Sequence, residues 1–126
     1  MRTWLSATFL VLGVSTAFAD GDAANGERAF NKCSACHSIE KPRTRMGPHL
    51  MGVVGRPAGS VADYKYSQAM TDAGASGMVW TEDSLREFLS SPKKKVPGTS
   101  MRFFGLWSES EINDLIAYLK TVQAPQ

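Results

Sequence analysis

The five residues Cys33-Ser34-Ala35-Cys36-His37 constrain this chain more than any other feature. They hold both of its cysteines and one of its two histidines. On a helical turn, cysteines at i and i+3 share a face, where both sulfurs can reach vinyl groups on adjacent edges of one porphyrin. The histidine that follows can aim a ring nitrogen at the iron from the same turn. C-x-x-C-H is accordingly the attachment pattern of a c-type haem. Three other readings compete, and each lacks something. A zinc site from Cys33, Cys36 and His49 has no fourth ligand and no second spaced histidine. A redox-active cysteine pair needs a βαβ surrounding, and strand signals are nearly absent. A disulfide across two residues inside a helix is strained. The expected cofactor is one haem c, covalently bound through Cys33 and Cys36.

The N-terminus reads as an export signal. Arg2 supplies a thin basic start, Trp4 to Val14 are mostly apolar, and Ala17-Phe18-Ala19 is a small-x-small site ahead of Asp20. The uncharged run Thr3 to Ala19 just reaches the ~17 residues of a spanning helix, but Ser6, Thr8, Ser15 and Thr16 weaken the reading as an anchor. Cleavage after Ala19 divides the chain into a signal peptide, 1–19, and one domain, 20–126, located in the periplasm with no stable membrane insertion. With 43% hydrophobic and 21% charged residues and a formal charge of +2, the chain is neither a disordered tail nor a nucleic-acid binder.

Four helical patterns predict an all-α domain. The first follows Asp22, a candidate N-cap, and runs through Gly26 and Phe30 to the cysteines. The second starts at Ser67 and stops at Gly74, placed as the residue after its C-cap. The third begins after Thr81, carries Leu85, Phe88 and Leu89, and ends before Pro92. The fourth opens on the capping box Ser108-Glu109-Ser110-Glu111, and Ile112, Leu115, Ile116 and Leu119 follow at helical spacing. Gly47 to Ala62 and Pro92 to Gly105 read as long loops, which in small domains are usually functional.

A flat apolar ring buried in the middle gives a short chain a core it could not otherwise build. Phe30, Leu50, Val53, Trp80, Leu85, Phe88, Leu89, Phe103, Phe104, Leu106, Ile112, Leu115 and Leu119 are the candidates to line or back it. A haem held by one histidine has an open face, and what fills it decides function. The candidates are His49, Met46, Met51, Met70, Met78 and Met101. His49, Met46 and Met51 lie only 9 to 14 residues beyond His37, a short path to the opposite face. Met101 follows Pro97-Gly98, a preset type II turn that would present a soft thioether rigidly from a loop. Such a ligand suits haem iron and raises its potential, so Met101 is the expected partner of His37.

Taken together, these motifs resemble the class I c-type cytochromes, in the branch that holds mitochondrial cytochrome c and bacterial cytochrome c2. The resemblance covers residues 22 to 122. Gly26 and Phe30 match the family's N-terminal helix, and Leu115 and Tyr118 match the C-terminal helix that crosses it. It implies that Pro48 accepts the other N–H of His37, and that Arg56, Trp80 and Tyr66 contact the haem propionates. Ser91 to Met101 is similar to the family's axial-methionine loop almost residue for residue. Phe88 stands where the family commonly has tyrosine, Met70 where it often has asparagine, and both changes make the pocket less polar. Ser100 replaces a frequent lysine. His49 takes a position often held by asparagine and is expected to be exposed.

Lys93-Lys94-Lys95 is the one like-charge run. By resemblance it borders the exposed haem edge, with Lys32 and Arg45 on the same rim, where it would steer encounter with acidic partners. The function implied is that of a soluble, monomeric one-electron carrier with no catalytic site. A bc1-type complex is the implied donor, and an oxidase, a reductase or a reaction centre the implied acceptor. Two alternatives stay open: a cytochrome subunit dedicated or tethered to one dehydrogenase, and a haem enzyme or gas sensor with an open iron.

Overall fold

The computed structural model describes residues 21–126, so the signal-peptide segment lies outside the described residues. They contain five α-helices: α1 (Ala23–Ala29), α2 (Gln68–Ala75), α3 (Glu82–Ser90), α4 (Pro92–Lys95) and α5 (Glu109–Thr121). A single 3₁₀ turn, Phe30–Lys32, prolongs α1 towards the cysteines. No strand occurs among the described residues; an isolated antiparallel bridge joins Pro57 to Val79. The all-α expectation holds.

Each long helix starts where a short polar side chain can satisfy an orphan amide. Asp22, Ser67, Thr81 and Ser108 accept from the N–H of Asn25, Met70, Ser84 and Glu111 respectively. At Ser108 only half of the expected capping box forms, because the Glu111 carboxylate pairs with Lys32 instead. Two boundaries differ from expectation. Helix α2 runs past Gly74 to Ala75, and the left-handed residue that follows its C-cap is Gly77, at φ +92°. Gly74 is needed for another reason: a Cβ there would lie 2.1 Å from the Ala58 carbonyl oxygen. Helix α4 was not expected at all. Four residues carry no apolar periodicity, yet Pro92 is preorganised for a first helical position and Val96 closes the turn on its carbonyl at 2.9 Å.

The core gathers where α1 and α5 cross and where α3 packs on α5. Gly26 is buried at the first crossing, Phe30 and Tyr118 rings meet at 5.9 Å, and Leu115 and Ile116 are fully enclosed. Trp80 stacks edge-on against Phe88 at 4.8 Å. The expected core list fails at Phe104, which is 90% exposed; the buried Leu106 two positions on takes the inward place, so Phe104 has no core face to fill. Leu50 and Phe103 are half-buried and pack against the core from its edge.

Candidate functional site

Cys33 and Cys36 stand on one tight turn beyond the 3₁₀ segment. Cys36 and His37 both donate their N–H to the Cys33 carbonyl, at 3.1 and 3.0 Å. The cysteines are therefore not in a regular helix, but the turn that carries them and His37 is closed by i+3 and i+4 bonds, the local geometry that the spacing called for. Both thiols are free and half-buried. Burial pushes the Cys33 thiol up, with Lys32 opposing.

The chain then doubles back on this turn. Gly47 donates to the Cys36 carbonyl and Leu50 to the Ser38 carbonyl, each at 2.9 Å, which lays Pro48 along His37. The His37 Nδ1 lies 2.7 Å from the Pro48 carbonyl oxygen. A carbonyl can only accept, so the ring proton sits on Nδ1 and Nε2 keeps its lone pair. Burial lowers the His37 pKa; the bond to Pro48 opposes this and the charge of Arg56 adds to it. A neutral imidazole is the form that binds metal. Gly47 allows the close approach, since a Cβ there would lie 2.5 Å from His37 Cε1.

Arg56 and Trp80 are joined through the backbone, while Tyr66 is held on the Val61 loop within electrostatic reach of Arg56. Gly55 donates to the Trp80 carbonyl at 2.8 Å and Trp80 to the Arg56 carbonyl at 2.9 Å. The Tyr66 hydroxyl accepts from Val61 N–H at 3.1 Å. Burial raises its pKa, and Arg56 counters that. Arg56 donates to the Met51 and His49 carbonyls at 3.1 Å each. Its buried Nε has no hydrogen-bond partner among the described residues. An unpaired guanidinium N–H is costly, and an anionic oxygen is the partner it fits. Two free sulfurs, a histidine with its outer nitrogen unengaged and an unpaired buried Arg N–H make a donor set that fits a c-type haem and its carboxylates.

Met101 is half-buried against the core. The loop before it closes as expected: Thr99 donates to the Val96 carbonyl at 3.0 Å, and Gly98 takes φ +92°, the third-position geometry of a type II turn. Thr99 Oγ1 accepts from Met101 N–H at 3.3 Å. Met46, by contrast, is 77% exposed, with its sulfur 3.9 Å from Cys36 Sγ.

His49 corrects an expectation. It is 8% exposed, not on the surface, because its Nδ1 accepts from Met51 N–H at 3.2 Å and its carbonyl holds Arg56. Nothing in its sequence neighbourhood marks it as buried. It lines, with Arg56, Asp63 and Ala124, a cavity of about 580 Å³. Burial and then Arg56 lower its pKa below 6.5, with Asp63 opposing. The unfolded chain therefore takes up the proton first, and His49 withdraws stability as pH falls through 6.5, levelling off below its folded value. His49→Asn, which keeps an acceptor for Met51, should flatten the fall in Tm on acidification; parallel Tm–pH curves for the two proteins would show that His49 stays uncoupled.

An all-helical domain with two free cysteines and a carbonyl-locked histidine on one turn defines a small c-type haem protein. The chain belongs to the cytochrome c family: residues 23–123 match the family described as Cytochrome c. It is 52% identical over 101 residues to cytochrome c2 of Agrobacterium tumefaciens (strain II Chrys), covering 79% of this chain and 91% of that one. It is 39% identical over 125 residues to cytochrome c2 of Blastochloris viridis, covering 98% and 96%. The solved structure of cytochrome cH from Methylobacterium extorquens superposes with a TM-score of 0.74 at 48% identity, over 80% of this chain and 99% of that one. One haem c is bound covalently through Cys33 and Cys36, and the chain is an electron carrier of the cytochrome c2 type, not an enzyme.

Proposed function

We propose that this carrier works in the periplasm, exported with cleavage after Ala19, and shuttles single electrons through a haem whose iron His37 and Met101 would hold. The observation that carries the reading is His37, locked through Pro48 on the turn that bears both cysteines. The haem supplies a one-electron ferric/ferrous couple. The chain supplies rigidity. Pro48 holds the His37 ring in one orientation, the Val96–Thr99 turn holds Met101, and Arg56, Tyr66 and Trp80 fit the carboxylates. Buried Phe88 and Met70 keep water from the core side. Two ligands held this firmly leave little to reorganise when charge changes.

Absorption spectra of the isolated protein test the reading. A reduced c-type spectrum, with the weak long-wavelength band of a sulfur-ligated ferric haem, supports it. A c-type spectrum without that band overturns the Met101 ligand and points to an open iron.

The implied partners are a bc1-type donor and an oxidase, reductase or reaction-centre acceptor, docking near Lys93, Lys94 and Lys95. The three lysines are not equivalent. Lys95 is paired with Glu87 at 2.6 Å, whereas Lys93 and Lys94 are exposed. Glutamine at all three should slow reaction with a redox partner severalfold at low salt and little at high salt, because exposed charges are screened within about 10 Å at 0.1 M. Stopped-flow rates against ionic strength check this; rates equal to wild type throughout would remove the lysines from docking. Most of the loss should already appear in the Lys93→Gln/Lys94→Gln protein.

A further inference from the structure

Two large aromatic side chains stand almost wholly in water: Phe104 is 90% exposed and Trp107 97%. A buried aromatic removes roughly 150–250 Å² from solvent, so the fold forgoes substantial burial at both positions. Between them Leu106 is buried, and its N–H donates to the Leu89 carbonyl at 2.8 Å. That bond anchors the segment so that Leu106 faces the core and both aromatics face out. Two almost fully exposed aromatics three residues apart on one anchored segment are a far stronger signal than scattered apolar side chains.

Their position joins them to the haem-bearing turn. Trp107 directly precedes Ser108, the N-cap of α5, and Glu111 in that helix pairs with Lys32, the neighbour of Cys33. Phe104 lies three residues past Met101, with Lys93 Nζ 5.9 Å above its ring centroid. Charge frames the pair. Lys93, Lys94 and Arg102 are exposed and form no ion pair among the described residues. The nearby carboxylates Glu111 and Glu87 are taken by Lys32 and Lys95, which leaves Glu109 as the exposed acidic group beside Trp107.

We infer that Phe104 and Trp107 form the apolar centre of a docking surface for a redox protein that offers an apolar patch ringed by carboxylates. The inference rests on the carrier reading and assigns a different task to each part of the surface. Exposed cations accelerate and orient encounter, while desolvated aromatics at the centre of an interface set how long the partner stays. Lysines alone would give a complex that dissolves in salt; the aromatic centre gives one that survives it. A patch of two rings is small enough to keep the contact short-lived, as a shuttle requires.

The test mixes the reduced holoprotein with membrane vesicles of the source organism and follows its oxidation by haem absorbance at low and high ionic strength. Three proteins are compared: wild type, Phe104→Ser/Trp107→Ser, and Lys93→Gln/Lys94→Gln. Ferricyanide, a small oxidant that needs no docking surface, serves as the reference. The aromatic variant should show an apparent KM for the carrier raised about tenfold at both ionic strengths, with its ferricyanide rate, spectrum and potential unchanged. The lysine variant should lose affinity mainly at low salt. An aromatic variant that matches wild type towards the vesicles overturns the docking patch. A loss mirrored with ferricyanide also overturns it, because the substitutions then act on the haem site. Wild type that ferricyanide oxidises but the vesicles do not removes the carrier reading, and the patch falls with it.

Discussion

Replacing Met101 with alanine should lower the reduction potential by on the order of 100 mV or more, within the roughly 0.8 V over which axial ligands set haem potentials. A thioether is a soft ligand that favours ferrous iron, so its loss stabilises the ferric state. The side chain is held from both sides. Gly98 at φ +92° closes the turn that precedes it, Thr99 caps its N–H at 3.3 Å, and the core packs against it. Alanine keeps the turn and the Thr99 bond, gives up only the side chain's packing against the core, and leaves Cys33 and Cys36 untouched, so on the proposed ligation haem stays attached while the iron gains an open position. Redox titration and the ferric spectrum check the result, together with binding of carbon monoxide to the reduced protein. Met46→Ala is the control: that methionine is 77% exposed beside Cys36, and its removal should leave the potential where it was. An unchanged potential in Met101→Ala, or a large drop in Met46→Ala, would move the ligand elsewhere.

Gly26→Val should be the most damaging single change away from the haem. At the crossing of α1 and α5 a Cβ on residue 26 would lie 1.9 Å from the Asp114 carbonyl oxygen and 2.7 Å from Tyr118 Cβ. Alanine would recover about 1 kcal/mol of helix propensity, but contact with a backbone oxygen is relieved only by moving a helix well over an ångström. Overpacking wins. A loss of about 3 kcal/mol or more is expected for valine, a fall in Tm of roughly 10–20 °C for a domain of this size. Gly26→Ala should sit between valine and wild type, and Ala24→Ser on the exposed side of α1 should be nearly silent. Thermal melts of the four holoproteins decide it; equal Tm values would mean that the helices separate at little cost. The Asp22 N–H bond to Asp114 and the Lys32–Glu111 pair would report the same opening.

Much of this was legible in the chain because local chemistry carried it. Polar caps before apolar periodicity placed the starts of α1, α2, α3 and α5, and a Pro-Gly pair announced the turn at Val96–Thr99. The attachment turn was readable because two cysteines and a histidine at that spacing have few other uses. What failed to show depended on partners distant in sequence. His49 looked like a surface histidine until the structure placed the Arg56 guanidinium on its carbonyl. Phe104 looked like core because an aromatic beside a haem loop usually is, and only the inward turn of Leu106 excluded it. Gly74 suited a helix end by type, but it is required by the Ala58 carbonyl pressed against it.

The sequence by itself determined the haem, its covalent attachment through Cys33 and Cys36, the helical class and the family. Each follows from residue types at short spacing, where chain geometry leaves one practical arrangement. Only the tertiary structure decided that His49 is buried with its carbonyl on Arg56, which lysines are already paired, and that Phe104 and Trp107 face water. Those outcomes are set by which segments pack together across dozens of residues, and no local pattern encodes that choice.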